Sequence, residues 1–203
     1  MGRVIIVYFF LACEDPLAQA CGERLLQHLA PDTLIKPIIT GGNGQLKKKL
    51  PNFIKLAHHA PILLLTDLDK VICAPALIKD WLVEPNHPEQ FYFRVAVRET
   101  ESWLLADRQG LSAWINAPIN KIPLNSELEQ DPKKYLLDLV NRYGNRQLKE
   151  DLLPSPTNIT SKVGLGYNAR LTEFVRENWC IESAIEHSDS LARAYKQLQK
   201  FKL

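Results

Sequence analysis

The segment Thr66-Asp67-Leu68-Asp69 sets two carboxylates one residue apart, directly after the apolar run Ile62-Leu63-Leu64-Leu65. In an extended strand, side chains i and i+2 point the same way, so Asp67 and Asp69 are expected side by side. Two like charges that close repel unless a cation or a proton lies between them. Mg²⁺ and Mn²⁺ prefer oxygen ligands of this kind. The plain alternative is that one of the two aspartates caps the following helix. Glu14 follows a second apolar run, Val4 to Ala12, and Glu99 and Glu101 follow a third in Arg98-Glu99-Thr100-Glu101. If all three runs are parallel strands, one edge of the sheet collects Glu14, Asp67, Asp69, Glu99 and Glu101. That arrangement is costly without a divalent ion. Each acid also has an ordinary reading. Glu14 would be a surface acid beside a helix-capping Asp15. Glu99 and Glu101 would sit in a solvated first helical turn, or Arg98 would pair with Glu101.

The elements that must position these acids alternate along the first half. Strands are expected over residues 4–11, 33–39, 62–67 and 91–97. Helices are expected near 16–29, after Gly41-Gly42-Asn43-Gly44, and near 75–82. Asp15 and Pro16 suit the N-cap and first position of the first helix, and Leu17, Cys21, Leu25 and Leu29 form its apolar stripe. The uninterrupted apolar run before Asp67 suits a strand buried on both faces. This order implies an α/β, Rossmann-like, mostly parallel sheet joined by right-handed crossovers. Pro118, Pro123 and Pro132 break up the next stretch. Helical patterns return at 133–143, 168–177 and 188–201, with a connector around Pro154 and Pro156. The expected organisation is a core over residues 1–110 and a mostly helical extension over 111–203 packed on it.

With 203 residues, 46% of them hydrophobic and 24% charged, the chain can bury one sizeable core with an appended subdomain. A net charge of +2 excludes a global basic field but leaves room for a local basic face. Cys13, Cys21, Cys73 and Cys180 form no CxxC pair and have no histidine at zinc spacing, so they are expected as buried, reduced thiols. The N-terminal apolar run is too short to span a membrane and lacks a small-residue cleavage site. It reads as a strand, and the protein is expected in the cytoplasm.

Basic residues near the acids are candidate phosphate ligands. Lys47 and Lys48 follow the glycine turn, although the same pattern describes a solvated helix face. Arg94 and Arg98 could clamp a phosphate in a bidentate fashion or balance Glu99 and Glu101. Lys162 lies in a loop that could reach the site. Trp103 reads as core or, less simply, as a stacking platform. The histidines lack a partner pattern.

A glutamate after the first strand and an acid-x-acid pair after the third resembles the TOPRIM pattern of topoisomerases, primases and related nucleases. The chain is more closely similar to a TOPRIM-like family of uncharacterised prokaryotic proteins (the DUF4276 type). That resemblance is carried by Gly41 to Lys47, Thr66 to Asp69, Arg94 to Asp107 with its Glu-x-Trp-Leu-x-x-Asp segment, Val163 to Asn168, and Ser188 to Leu191. It implies Asp67 and Asp69 as Mg²⁺ ligands and Glu14 as general acid or base, also at the metal. Asp15 and Pro16 stand where many TOPRIM domains carry a glycine. The expected function is a metal-dependent nuclease, with nucleic acid as partner, in a prokaryotic defence or DNA-processing system. Glu99, Glu101 and Arg98 are further catalytic candidates. A non-catalytic interaction module or partner subunit and a small-nucleotide phosphohydrolase are the alternatives.

Overall fold

The computed structural model describes residues 8–83, 86–155 and 161–201. It divides into two compact units, residues 1–96 with 193–203, and residues 97–192. Expected strand positions 4–7 lie outside the described residues.

The first unit is a four-stranded parallel sheet in the order β2-β1-β3-β4. Its strands are β1 (Tyr8–Cys13), β2 (Leu34–Ile39), β3 (Ile62–Asp67) and β4 (Phe91–Ala96). They alternate with α1 (Pro16–Leu29), α2 (Asn43–Leu56) and α3 (Ala74–Trp81). The α/β, Rossmann-like class expected from the sequence is the class observed. Asp15 caps α1, its Oδ1 accepting from the Ala18 amide at 2.9 Å. Residues of β3 are buried along almost its whole length, as its apolar run requires of a central strand. β2 is an edge strand, where Pro37 removes no needed ladder donor. The chain leaves β1 toward β2 and then crosses back to β3, so right-handed crossovers set α1 and α2 on opposite faces. Residues from Arg193 onward complete this unit: the Phe201 ring packs edge-on against Phe9 at 5.0 Å, and the Tyr195 hydroxyl lies 3.2 Å from His28.

The second unit is helical: α4 (Thr100–Ala106), α5 (Arg108–Ile115), α6 (Pro132–Tyr143), α7 (Arg146–Leu152), α8 (Tyr167–Glu177) and α9 (Ile181–Ala184). Short 3₁₀ turns at Ile119–Lys121 and Ser126–Leu128 fill the proline-rich stretch. Helix α10 (Asp189–Leu198) begins in this unit and ends in the first. Trp103 is fully buried: its indole N–H donates to Ser190 Oγ at 2.8 Å, and its carbonyl accepts from the Trp179 indole at 3.1 Å. Trp103 is therefore core and not a stacking platform. Asp107, also fully buried, caps α5 through the Gly110 amide and accepts from the Cys180 amide at 2.9 Å. A Cβ at Gly110 would lie 2.1 Å from Asp107 Oδ2, so the cap itself requires glycine there. The Glu-x-Trp-Leu-x-x-Asp segment thus owes its tryptophan and aspartate to scaffolding.

The expectation of four buried thiols is corrected. All four cysteines are unbridged, but Cys73 and Cys180 are exposed, because each stands just before a helix rather than inside an apolar run. Among the described residues, no helix is long and apolar enough to cross a membrane.

Candidate functional site

The strand order places the reversal of winding between β1 and β3, the position where open parallel sheets form a crevice at their C-terminal edge. Glu14 and Asp67 stand at this point, at the ends of the two adjacent strands. Glu14 is half-buried. Its Oε1 accepts a hydrogen bond from the fully buried Thr66 hydroxyl and a second from the Asp67 amide at 3.1 Å. Burial pushes the Glu14 pKa up, the two hydrogen bonds oppose that shift, and the charges of Asp69 and Asp15 add to it. The backbone around Glu14 is fixed as well. Its carbonyl accepts from Gly41 at 2.9 Å, and the Cys13 carbonyl accepts from Thr40 at 3.0 Å. Gly41 and Gly42 have φ values of 80° and 126°, which glycine adopts without strain, and they turn the chain into α2.

Asp69 departs from the expected geometry. β3 ends at Asp67, Leu68 is buried with its amide bonded to the Ala96 carbonyl at 2.9 Å, and Asp69 takes a left-handed φ of 52°. The strand alternation that would align the two aspartates has stopped before Asp69, so the side-by-side pair argued from an extended chain is not formed that way. Asp69 is exposed, and its Oδ2 accepts from Asn43 Nδ2 at 2.9 Å, across from the first turn of α2. Among the described residues no group of three or more His, Cys, Asp or Glu side chains is arranged to hold a metal ion.

Of the five acids expected together, Glu14, Asp67 and Asp69 belong to the first unit and Glu99 and Glu101 to the second. Glu99 is the N-cap of α4. Its amide faces Ser102 Oγ at 3.5 Å, and the Ser102 hydroxyl donates to its carbonyl at 2.8 Å. Its Oε2 accepts from the Lys133 amide at 3.3 Å, at the start of α6, where the positive end of the helix suits a carboxylate. Burial pushes its pKa up, Glu101 adds to this, and Lys133 pulls it back. Glu101 is buried, not solvated. Its Oε1 accepts from the Tyr167 hydroxyl at 2.8 Å and lies 3.3 Å from Lys133 Nζ. Lys133 also stands over the Tyr167 ring, 6.0 Å from its centre. Thr66, Asn43, Lys133 and Tyr167 were not singled out from the sequence as site residues. Thr66 was legible as part of the Thr-Asp-x-Asp segment, whereas Lys133 and Tyr167 come from distant helices and carry no local signal.

The basic candidates are dispersed. Lys47 pairs with Asp80 at 2.7 Å on an exposed surface, and Lys48 is exposed on the same helix. Arg94 lies within β4, opposite Leu65 of β3. Arg98 is half-buried in the segment between β4 and α4. Lys162 is exposed and lines a shallow cleft of about 350 Å³ with Lys134 and Asn141. Compared with protein-family models, with curated proteins and with solved structures, the chain matches none.

Proposed function

We propose that the chain is a Mg²⁺- or Mn²⁺-dependent phosphoryl-transfer enzyme, a nuclease acting on DNA or RNA. The observation that carries this reading is Glu14, a half-buried carboxyl with a raised pKa at the switch point of a parallel sheet. Perturbed acids in such a crevice are the groups that perform proton transfer. Asp67 and Asp69 supply the hard oxygen donors that Mg²⁺ prefers. Mg²⁺ commonly takes one or two protein carboxylates and completes its octahedron with water and substrate phosphate, so the fit requires no three-acid cage. When bound, the ion would polarise a phosphoryl oxygen and ease ionisation of water. Burial raises the Glu14 pKa and so suits the carboxyl to carry a proton. Its Oε1 accepts both hydrogen bonds, which leaves Oε2 as the oxygen from which a proton would pass to a departing oxygen. Thr66 holds the carboxyl in that orientation, and Lys48 on α2 offers a solvated contact for the phosphate backbone. A cytoplasmic setting suits the four unbridged cysteines, and a prokaryotic defence or DNA-processing system is the proposed context.

The test is cleavage of single- and double-stranded DNA and RNA in Mg²⁺ and in Mn²⁺. Glu14→Gln is expected to reduce turnover by about 10²- to 10⁴-fold, and Asp67→Asn with Asp69→Asn to abolish metal binding in calorimetry. Absence of divalent-ion binding by the unaltered protein would end the enzyme reading. A second reading, a non-catalytic interaction module, is favoured by Asp69 being turned out of the strand and held by Asn43. It predicts that the double aspartate variant keeps its biological activity.

A further inference from the structure

A cavity of about 590 Å³ opens in the first unit. Its walls include the first residues of β4, Ile78 of α3 and Leu82 at its end, the loop at Glu89, and Gln197 and Lys200. Glu14, Asp67 and Asp69 do not line it. Phe91 begins β4 and stands opposite Ile62, which begins β3. The cavity therefore lies toward the N-terminal edge of the parallel strands, and the acids occupy the other edge.

Arg94 lines this cavity and is not explained by the fold. Its Nε is buried with no hydrogen-bond partner among the described residues. Burial pulls the guanidinium below its ordinary pKa. A buried donor left unpaired costs about 1–3 kcal/mol, more when it is charged, and native proteins rarely leave one without a ligand, water or ion. The remaining walls describe what such a ligand would be. The Phe91 and Phe93 rings pack edge to face at 6.2 Å, and His87 packs edge-on to Phe91 at 5.6 Å. Lys200 adds a second cation and Gln197 an amide, against the single acid Glu89. The volume falls within the range of small-molecule sites, and the lining mixes apolar and aromatic residues with His87, Glu89, Arg94, Gln197 and Lys200.

We propose that this cavity binds a small organic anion with a flat aromatic body, Arg94 and Lys200 holding its phosphate or carboxylate and Tyr92, which alternation sets on the same side of β4 as Arg94, meeting its ring. The site needs no metal and stands independently of the nuclease reading. Calorimetry on the full chain in EDTA, with adenosine monophosphate, uridine monophosphate and 4-hydroxybenzoate each raised to about 5 mM, tests it at the weakest affinity of interest. Saturable binding of at least one probe is expected. A nucleotide response alone identifies a phosphate ester, and a hydroxybenzoate response alone identifies an aromatic carboxylate. Arg94→Gln should weaken the bound probe by about tenfold or more. Should that variant fail to fold, Lys200→Gln, an exposed position, reads the same anion contact through a few-fold loss. No heat from any probe, or binding equally tight in the folded variants, overturns the proposal.

Discussion

The two acidic groups answer burial in opposite ways. In the second unit, Glu101 is surrounded by its own remedy: a lysine ammonium, a tyrosine hydroxyl and, through Glu99, the start of helix α6. At the rim of the first unit, Glu14 is oriented by two neutral donors and faces two further acids. Both Glu14 and Glu99 are pushed up by burial, but only Glu99 has a cation acting against the shift. Perturbation alone therefore does not mark a catalytic acid. A carboxylate whose charge is met internally is structural, and one whose charge is left to a proton or an incoming cation is available for chemistry.

The sharpest way to break this comparison is Lys133→Met. It strands a buried Glu101 with one hydroxyl donor and should cost about 3 kcal/mol, read as a fall in the urea midpoint. A loss below about 0.5 kcal/mol, the range of an ordinary surface change, would show that the cluster does not depend on its lysine. Next comes Thr66→Val, which removes a neutral donor from Glu14 and should cost about 1 kcal/mol. Because that hydrogen bond lowers the Glu14 pKa, and a general acid must hold its proton, the alkaline limb of the metal-dependent rate should move to higher pH; a shift to lower pH contradicts the assignment. The smallest effect belongs to Glu14→Gln as a stability probe. Glu14 is raised above its ordinary value of 4.5, so the stabilisation it gives is complete below that value and fades as pH rises through the folded pKa. The glutamine variant should therefore gain on the native chain as pH goes from about 4 to about 7. A difference independent of pH would mean that Glu14 titrates as an exposed acid.

How much of this was readable in the chain differs by element. Helix α1 begins and ends at the expected residues because Asp15 and Pro16 mark its start locally. β3 was legible because a central parallel strand leaves an uninterrupted apolar run. The sequence pattern predicts no helix over α5, α7 or α9. α5 shares Asp107 with the end of α4 and stops just short of the proline-broken stretch, and α7 is announced by little more than its Asn145 cap. The meeting of Glu14 with Asp67 followed from strand adjacency. The placement of Asp69 did not, since a left-handed residue one step beyond a strand leaves the period of two without a sequence mark. The pairing of Glu101 with Lys133 and Tyr167 depends on tertiary packing, which short-range pattern cannot see.

Phe201 against Phe9 carries a consequence for biosynthesis. A ribosome makes every strand of the sheet before residues 97–192, and only afterward the segment that finishes the sheet's own unit. The nascent platform must therefore wait, with Phe9 uncovered on one side, for many seconds of elongation. A stall late in translation would release a sheet with an open aromatic seam, a ready substrate for chaperones.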